Sequence, residues 1–239
     1  MTSPLPPPPS GGSPPGPPSG GPPTPVPGGP GGTPAAPQAP RRDGEATRAR
    51  LIRSALQLFT TVGFRATTTT AIAEGAEVAE GTIYRHFTGK EHLLNEVYRQ
   101  AQGWASKLAL ELDAERGSSV ADRLMRLGRA LVEGSGKDPA LARMFLARAE
   151  ERYLDEKSRE AARAFRDGLQ HLMASGKSDG VVRPGPADLW AGVWLALVGY
   201  AMWRVSAGEW PADHPQIQLT LEAAWDAIST NRGTPLAHT

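Results

Sequence analysis

The chain has 239 residues, 26 Lys and Arg against 25 Asp and Glu, and no cysteine. Without thiols, a disulfide framework, a Cys-ligated zinc site, an iron–sulfur cluster and thiol catalysis are excluded. The net charge of +1 argues at first sight against nucleic acid as a partner, so its distribution along the chain has to be read as well as its sum.

Residues 1–40 hold 17 of the 23 prolines and nine of the 27 glycines, and no charged side chain. With little beyond Leu5 and Val26 to bury, this segment cannot offset the roughly 1–2 kcal/mol per residue that backbone ordering costs. It is expected to be a disordered tail. Its P-x-x-P matches fit polyproline II docking, but they arise by chance in any such tract and assign no partner. The tail has no basic region followed by an apolar run, hence no secretory signal. The longest uncharged apolar stretch, Leu189 to Trp203, has 15 residues, short of the roughly 20 that span a bilayer. A soluble cytoplasmic protein with no membrane contact is expected. Beyond the tail, residues 41–100 carry nine basic against seven acidic residues, five of the nine between Arg41 and Arg53. The remainder carries 17 against 18, so the positive excess sits at one end.

From there the pattern is helical almost throughout. Ala49, Ile52, Ala55, Leu56 and Phe59 recur at helical spacing and predict an amphipathic helix from about Glu45 to Val62, stopped by Gly63. A Thr run, Thr67 to Thr70, leads into a short helix at Ala71 to Ala76, and Val78, Ile83, Tyr84 and Phe87 mark another. Thr88 and Glu91 have capping-box spacing before an apolar face from Leu93 to Leu112. Gly117-Ser118-Ser119 is a break. Further helices are expected over Val120 to Glu133, from Asp138-Pro139 onward, over Lys157 to Ser175, over Ala187 to Ala207 after a Pro/Gly linker, and over Asp213 to Thr230. The fold class is all-α with about nine helices.

The layout from Gly63 to Lys90 is a helix stop, a Thr-rich cap, a short helix, a tight turn, a second short helix and a new cap. A helix-turn-helix needs this order, because one helix braces across the sugar-phosphate backbone while the next presents its N-terminal half to a major groove. Ala71, Ala73, Ala76 and Ala79 permit a close crossing, and Ile72, Val78 and Ile83 supply a shared core. Arg41, Arg42, Arg48 and Arg50 read either as an arm that neutralises phosphate or enters a minor groove, or as a solvated linker end. Arg48, on the helix itself, is the contact selected.

The string Gly63-Phe64-x-x-Thr67-Thr68-x-x-x-Ile72-Ala73-x-x-Ala76-x-Val78-x-x-Gly81-Thr82-Ile83-Tyr84-x-His86-Phe87-x-x-Lys90-x-x-Leu93 resembles the DNA-binding domain of TetR-type bacterial transcriptional regulators. The helix count extends the resemblance over about Glu45 to Arg232. With the compositional tail at 1–40 set aside, the expected organisation is a helix-turn-helix domain at 41–92, a helical ligand-binding and dimerisation domain at 93–232 and a flexible end at 233–239. The resemblance implies phosphate contacts from Thr68, Tyr84, His86 and Lys90, with Ala79, Glu80, Gly81, Thr82 and Arg85 facing the groove. Of these, Arg85 and Thr82 have the chemistry to read base edges, whereas phosphate contacts fix register. Two positions depart from the family pattern: Glu77 stands where Gly is usual in the turn, and Ala79 where Ser or Thr usually caps the recognition helix.

All six tryptophans lie after residue 100. Between Ala187 and Ala207, Trp190, Trp194, Leu197 and Ala201 form one stripe and Val193, Ala196, Tyr200 and Trp203 a second, so that helix is buried on more than one face. The resemblance implies a homodimer built from this helix and the last one, whose stripe is Ile217, Leu221, Ala224, Trp225 and Ile228. It also implies a cavity for a small, largely apolar effector, with Trp104, Met125, Met144, Phe145, Phe165, Trp190 and Trp194 as candidate lining and Arg148 or His171 as polar anchors. The expected function is an effector-responsive repressor that binds a palindromic double-stranded DNA operator as a dimer. No HExxH, GxSxG or P-loop pattern occurs, and the spacing of His86, Glu91 and His92 turns them apart. No enzyme activity, metal or cofactor is expected.

Overall fold

A computed structural model describes residues 39–113, 118–147 and 151–230, besides Gly12 and Gly16. The tail, the C-terminal end from 231, Arg148 and the side chains of Arg41 and Arg42 lie outside the described residues. Nine α-helices are present among them, and none is long and apolar enough to cross a membrane. The described residues from Ala39 onward belong to one compact unit.

Helix α1 spans Ala39–Leu58, six residues longer at its start than the expectation of Glu45. Pro40 does not prevent this, because in a first turn the missing N–H has no helical acceptor to lose. Nor does α1 end in a simple stop. The hydroxyls of Thr60 and Thr61 donate to the Leu56 and Gln57 carbonyls, each at 2.8 Å, and the ladder widens into a π turn at Phe59–Gly63. Gly63 then breaks away at φ +95°.

The short helix α2, Thr69–Gly75, is capped by Thr68, whose hydroxyl accepts the Ala71 N–H. It crosses α1 so closely that a Cβ on Gly75 would lie 2.5 Å from Ser54 Oγ. That hydroxyl donates to the Ile72 carbonyl at 2.8 Å, which fixes the crossing. A 3₁₀ turn at Glu80–Thr82 and α3, Ile83–His86, follow the turn. Helix α4, Lys90–Asp113, departs from the expected capping box. The Thr88 N–H donates to His92 Nδ1 at 3.2 Å, so His92 and not Glu91 supplies the reciprocal acceptor.

The remaining helices are α5, Val120–Lys137, α6, Pro139–Leu146, α7, Glu156–Ser178, α8, Ala187–Ser206, and α9, Pro215–Ile228. Ser119, Asp138 and Asp155 cap α5, α6 and α7 through their side chains. Each satisfies one of the backbone N–H groups that a helix start leaves without a partner. After α9 the chain pairs with the segment before α8 through an antiparallel bridge, Val182 with Ser229.

Two groups of buried side chains matter for function. Leu51, Ala55, Ile72, Ala76, Ile83, Phe87, Leu93 and Val97 join α1 to α4 into one core. Leu124, Leu131, Phe165, Met173, Trp194, Val198, Met202, Leu221 and Ile228 hold the body together. Large apolar side chains fully removed from water contribute about 1.5–3 kcal/mol each.

Candidate nucleic-acid interface

The turn between α2 and α3 contains Glu77 at φ +55°, the one non-glycine residue with positive φ among the described residues. Its conformation is the left-handed one that glycine adopts without strain. After it, Ala79 takes the N-cap position of the 3₁₀ turn with no side-chain hydrogen bond. Both departures seen in the sequence therefore fall where the backbone asks for other residues.

The recognition segment is two-faced. Ile83 and Phe87 are buried, at 1% and 2% exposure, whereas Tyr84 is 59% exposed. Ala79, Glu80, Gly81 and Arg85 are exposed with it, and Thr82 and His86 are half-buried. An exposed phenol and guanidinium side by side on a short helix form a polar surface of the kind a major groove admits. The start of α2 is brought against it: the hydroxyls of Thr69 and Thr70 both donate to Glu80 Oε1 at 3.0 Å. The sequence reading missed this contact, for which a Thr run facing a Glu ten residues on is only a faint signal. Glu80 is thus pinned in the position where the missing Ala79 cap would otherwise leave the turn unsupported.

Three expected contacts have other partners here. The Thr68 hydroxyl is engaged as the α2 cap. Lys90 Nζ donates to the carbonyls of Phe64, Arg65 and Thr67 at 2.9, 3.3 and 2.8 Å, a set that uses all three of its N–H bonds. It also lies 4.6 Å above the Phe64 ring. Arg48 pairs with Glu96 on α4 and stands 5.2 Å over the ring of Phe87, where α3 ends.

Glu96 is the centre of a charge cluster. Burial pushes its carboxyl up, but hydrogen bonds and charge from Arg99 and Arg48 outweigh that and hold it below the ordinary glutamate value. Partial burial likewise acts upward on Asp155, and the Ser158 N–H and hydroxyl together with Arg99 bring it below its ordinary value. Apart from Arg48, none of these residues stood out in the sequence, since a charged residue on a helix is as a rule a solvated one.

Within the body, a cavity of about 420 Å³ opens between α4, α5 and α7. Its wall is mostly apolar, with Ala109, Leu110, Leu127, Phe165, Leu169 and Leu172, and it carries Ser106, Arg123, Asp167 and His171 as polar groups. Of the expected ligand residues, Phe165 and His171 line it. Trp104, Met125, Met144, Phe145, Trp190 and Trp194 do not. Phe145 stacks edge-on between Trp104 and Phe165, at 5.9 and 5.1 Å, so Trp104 and Phe145 back the wall that Phe165 forms. Met144 and Trp194 are core residues, Trp190 packs under Arg183 at 5.5 Å, and Met125 is half-buried against the core.

The pattern of the family "Bacterial regulatory proteins, tetR family" matches residues 51–97, the stretch from α1 through the turn to α4. YvkB of Bacillus subtilis, an HTH-type transcriptional regulator, is 27% identical over 184 residues, covering 72% of this chain and 90% of its own. Residues 51–97 carry the TetR-family DNA-binding domain. TcmR of Streptomyces glaucescens is 44% identical over 61 residues, 26% of this chain and 27% of TcmR. The HTH-type transcriptional repressor KstR2 of Mycobacterium tuberculosis is 39% identical over 57 residues, 24% of this chain and 28% of the repressor. These two matches span about a quarter of each relative. The fold extends further: a TetR family transcription regulator from Marinobacter aquaeolei superposes with a TM-score of 0.68 at 21% identity, covering 79% of this chain and 98% of that one. With this domain, and with similarity to the regulator YvkB over most of its length, the protein is a helix-turn-helix DNA-binding transcriptional regulator, and the family of that domain is one of regulators, not of enzymes.

Proposed function

We propose that the protein is an effector-responsive repressor that binds a palindromic operator as a homodimer and is released when a small, largely apolar compound enters the α4–α5–α7 cavity. The observation that carries the DNA half of this reading is the exposed Tyr84–Arg85 face on a segment whose opposite side is buried. In this reading Arg85 reads a base edge, Thr82 assists it, and Tyr84, His86 and the α2 start at Thr68 contact phosphate. The apolar wall with four polar groups supports the effector half, and the relatives named as repressors support the sign of regulation.

The dimer is supported by α8 and α9. Trp203 and Tyr200 on α8 are 49% and 48% exposed, and Leu219 on α9 is 63% exposed. Large apolar side chains left on the two helices that close the fold are what an isologous interface covers. Two short recognition segments also bind strongly enough only when joined, at a half-site spacing near one helical turn, about 34–36 Å.

The test is a mobility shift with genomic fragments, the DNA flanking the protein's own gene included. A salt-sensitive, sequence-specific shift is expected. Tyr84→Phe should weaken binding to every sequence alike, while Arg85→Ala should relax preference at one base pair per half-site. Absence of a specific shift with any fragment contradicts the reading.

A further inference from the structure

The start of α7 reaches the DNA-binding end of the molecule by two routes. One is polar. Asp155 caps α7 by accepting the Ser158 N–H at 2.8 Å, and its two oxygens also receive Arg99 Nη1 at 3.0 and 2.8 Å. Arg99 extends to Glu96, and Glu96 to Arg48 on α1. Arg48 in turn covers Phe87, the residue that closes the recognition helix. Buried Asn95 locks the junction, its amide donating to the Tyr153 carbonyl and its oxygen accepting the Asp155 N–H, both at 2.8 Å. The other route is aromatic: the Tyr153 ring lies 4.8 Å from Phe64, which sits under the Lys90 ammonium that holds the loop into α2.

The cavity is walled by the same two helices further along. Ser106 is roughly 16 Å beyond Asn95 on α4, and Phe165 is roughly 10 Å beyond Ser158 on α7, at 1.5 Å per residue. A compound larger than the space already open there spreads or slides α7 against α4, and close-packed helices shift as units. The Asp155 cap, fixed to the end of α7, has to follow.

We propose that the chain Asp155–Arg99–Glu96–Arg48 couples occupation of the cavity to the recognition helix. Arg99 and Asp155 act as positioning residues that touch neither DNA nor effector. The proposal rests on the effector reading given above and adds the path of regulation. Coupling of this kind requires that the two states differ in these contacts, and a cap bonded to both helices is a contact that their relative movement alters.

The test replaces the unidentified effector with a built-in occupant. A Cβ on Gly168 meets no atom within 4 Å, and Gly168 lines the cavity, so Gly168→Phe fills it from the α7 side. Operator affinity is measured by fluorescence anisotropy on a duplex selected with the unsubstituted full chain. Four chains are compared: unsubstituted, Gly168→Phe, Asp155→Asn and the double variant. Asparagine keeps the cap and removes the charge that Arg99 needs. Filling should weaken operator binding by roughly fivefold or more in the unsubstituted background, and by less than roughly twofold in the Asp155→Asn background. Arg163→Ala, which breaks the exposed pair with Glu156 on the same helix, should leave the full penalty in place. The proposal is overturned by an equal penalty in both backgrounds, or by no penalty in a Gly168→Phe chain that melts normally. If that chain does not fold, Ala109→Leu fills the cavity from α4 and is read the same way. Failure of the unsubstituted chain to bind any duplex would instead bring down the function reading itself.

Discussion

Glu77 and Ala79 hold the helix-turn-helix turn with the wrong chemistry for its backbone. A left-handed non-glycine residue costs on the order of 1 kcal/mol, and a missing Ser or Thr cap about 1 kcal/mol. Glu77→Gly and Ala79→Ser are each expected to raise the melting temperature by about 2–4 °C for a domain of this size, measured by circular dichroism. A fall with either would show that the turn is satisfied in some other way. Lys90 poses a different question, since its three N–H bonds go to backbone carbonyls in the structure. Lys90→Met should keep the contact with Phe64, lower the melting temperature and leave the salt dependence of operator binding unchanged. A lysine seated on phosphate would instead reduce the slope of log K against log salt by about 0.9.

At the scale of elements, the charge cluster linking α1, α4 and α7 makes stability depend on pH. Glu96 and Asp155 both have folded pKa values below their ordinary ones. Their contribution is therefore present above the unfolded carboxylate values of about 4 and is lost as pH falls through the folded values. The melting temperature should drop on acidification below about pH 4.5, and less steeply in Glu96→Gln, which has already given up the pair with Arg48. An identical pH profile in the two chains would remove Glu96 from the account. The elements themselves were legible because apolar spacing, Gly and Pro punctuation and caps are local signals. Each expected helix from α1 to α9 is present, and Asp138 opens α6 as its spacing indicated. Where the structure differs, a side-chain choice that no apolar spacing encodes decided the outcome. Ring nitrogen from His92 displaced Glu91 in the cap of α4, and Glu80 was drawn to Thr69 and Thr70. The aromatic row of Trp104, Phe145 and Phe165 looks like a ligand box in sequence, and in space only Phe165 reaches the cavity while Trp104 and Phe145 stand behind it. The Arg48 to Asp155 chain joins residues 107 positions apart, beyond the reach of any spacing rule.

Taken as a whole, the molecule places a DNA-facing unit at one end of α4 and a cavity along the rest of it, with α8 and α9 left partly uncovered. If those two helices form the dimer, Trp203→Glu should yield a monomer by analytical ultracentrifugation and weaken operator binding at least tenfold, about 1.4 kcal/mol or more. A dimer that persists would place the interface elsewhere. The near-neutral total charge is compatible with the proposed DNA contacts, because these depend on the local face of Tyr84, Arg85 and His86 and not on the sum over the chain. The central claim is that this face reads sequence, and selection of duplexes from a random pool by the unsubstituted chain and by Arg85→Ala tests it most directly. The unsubstituted chain should enrich an inverted repeat, and Arg85→Ala the same repeat with one position in each half-site made degenerate. No enriched repeat, or an Arg85→Ala repeat identical to the first, would contradict it.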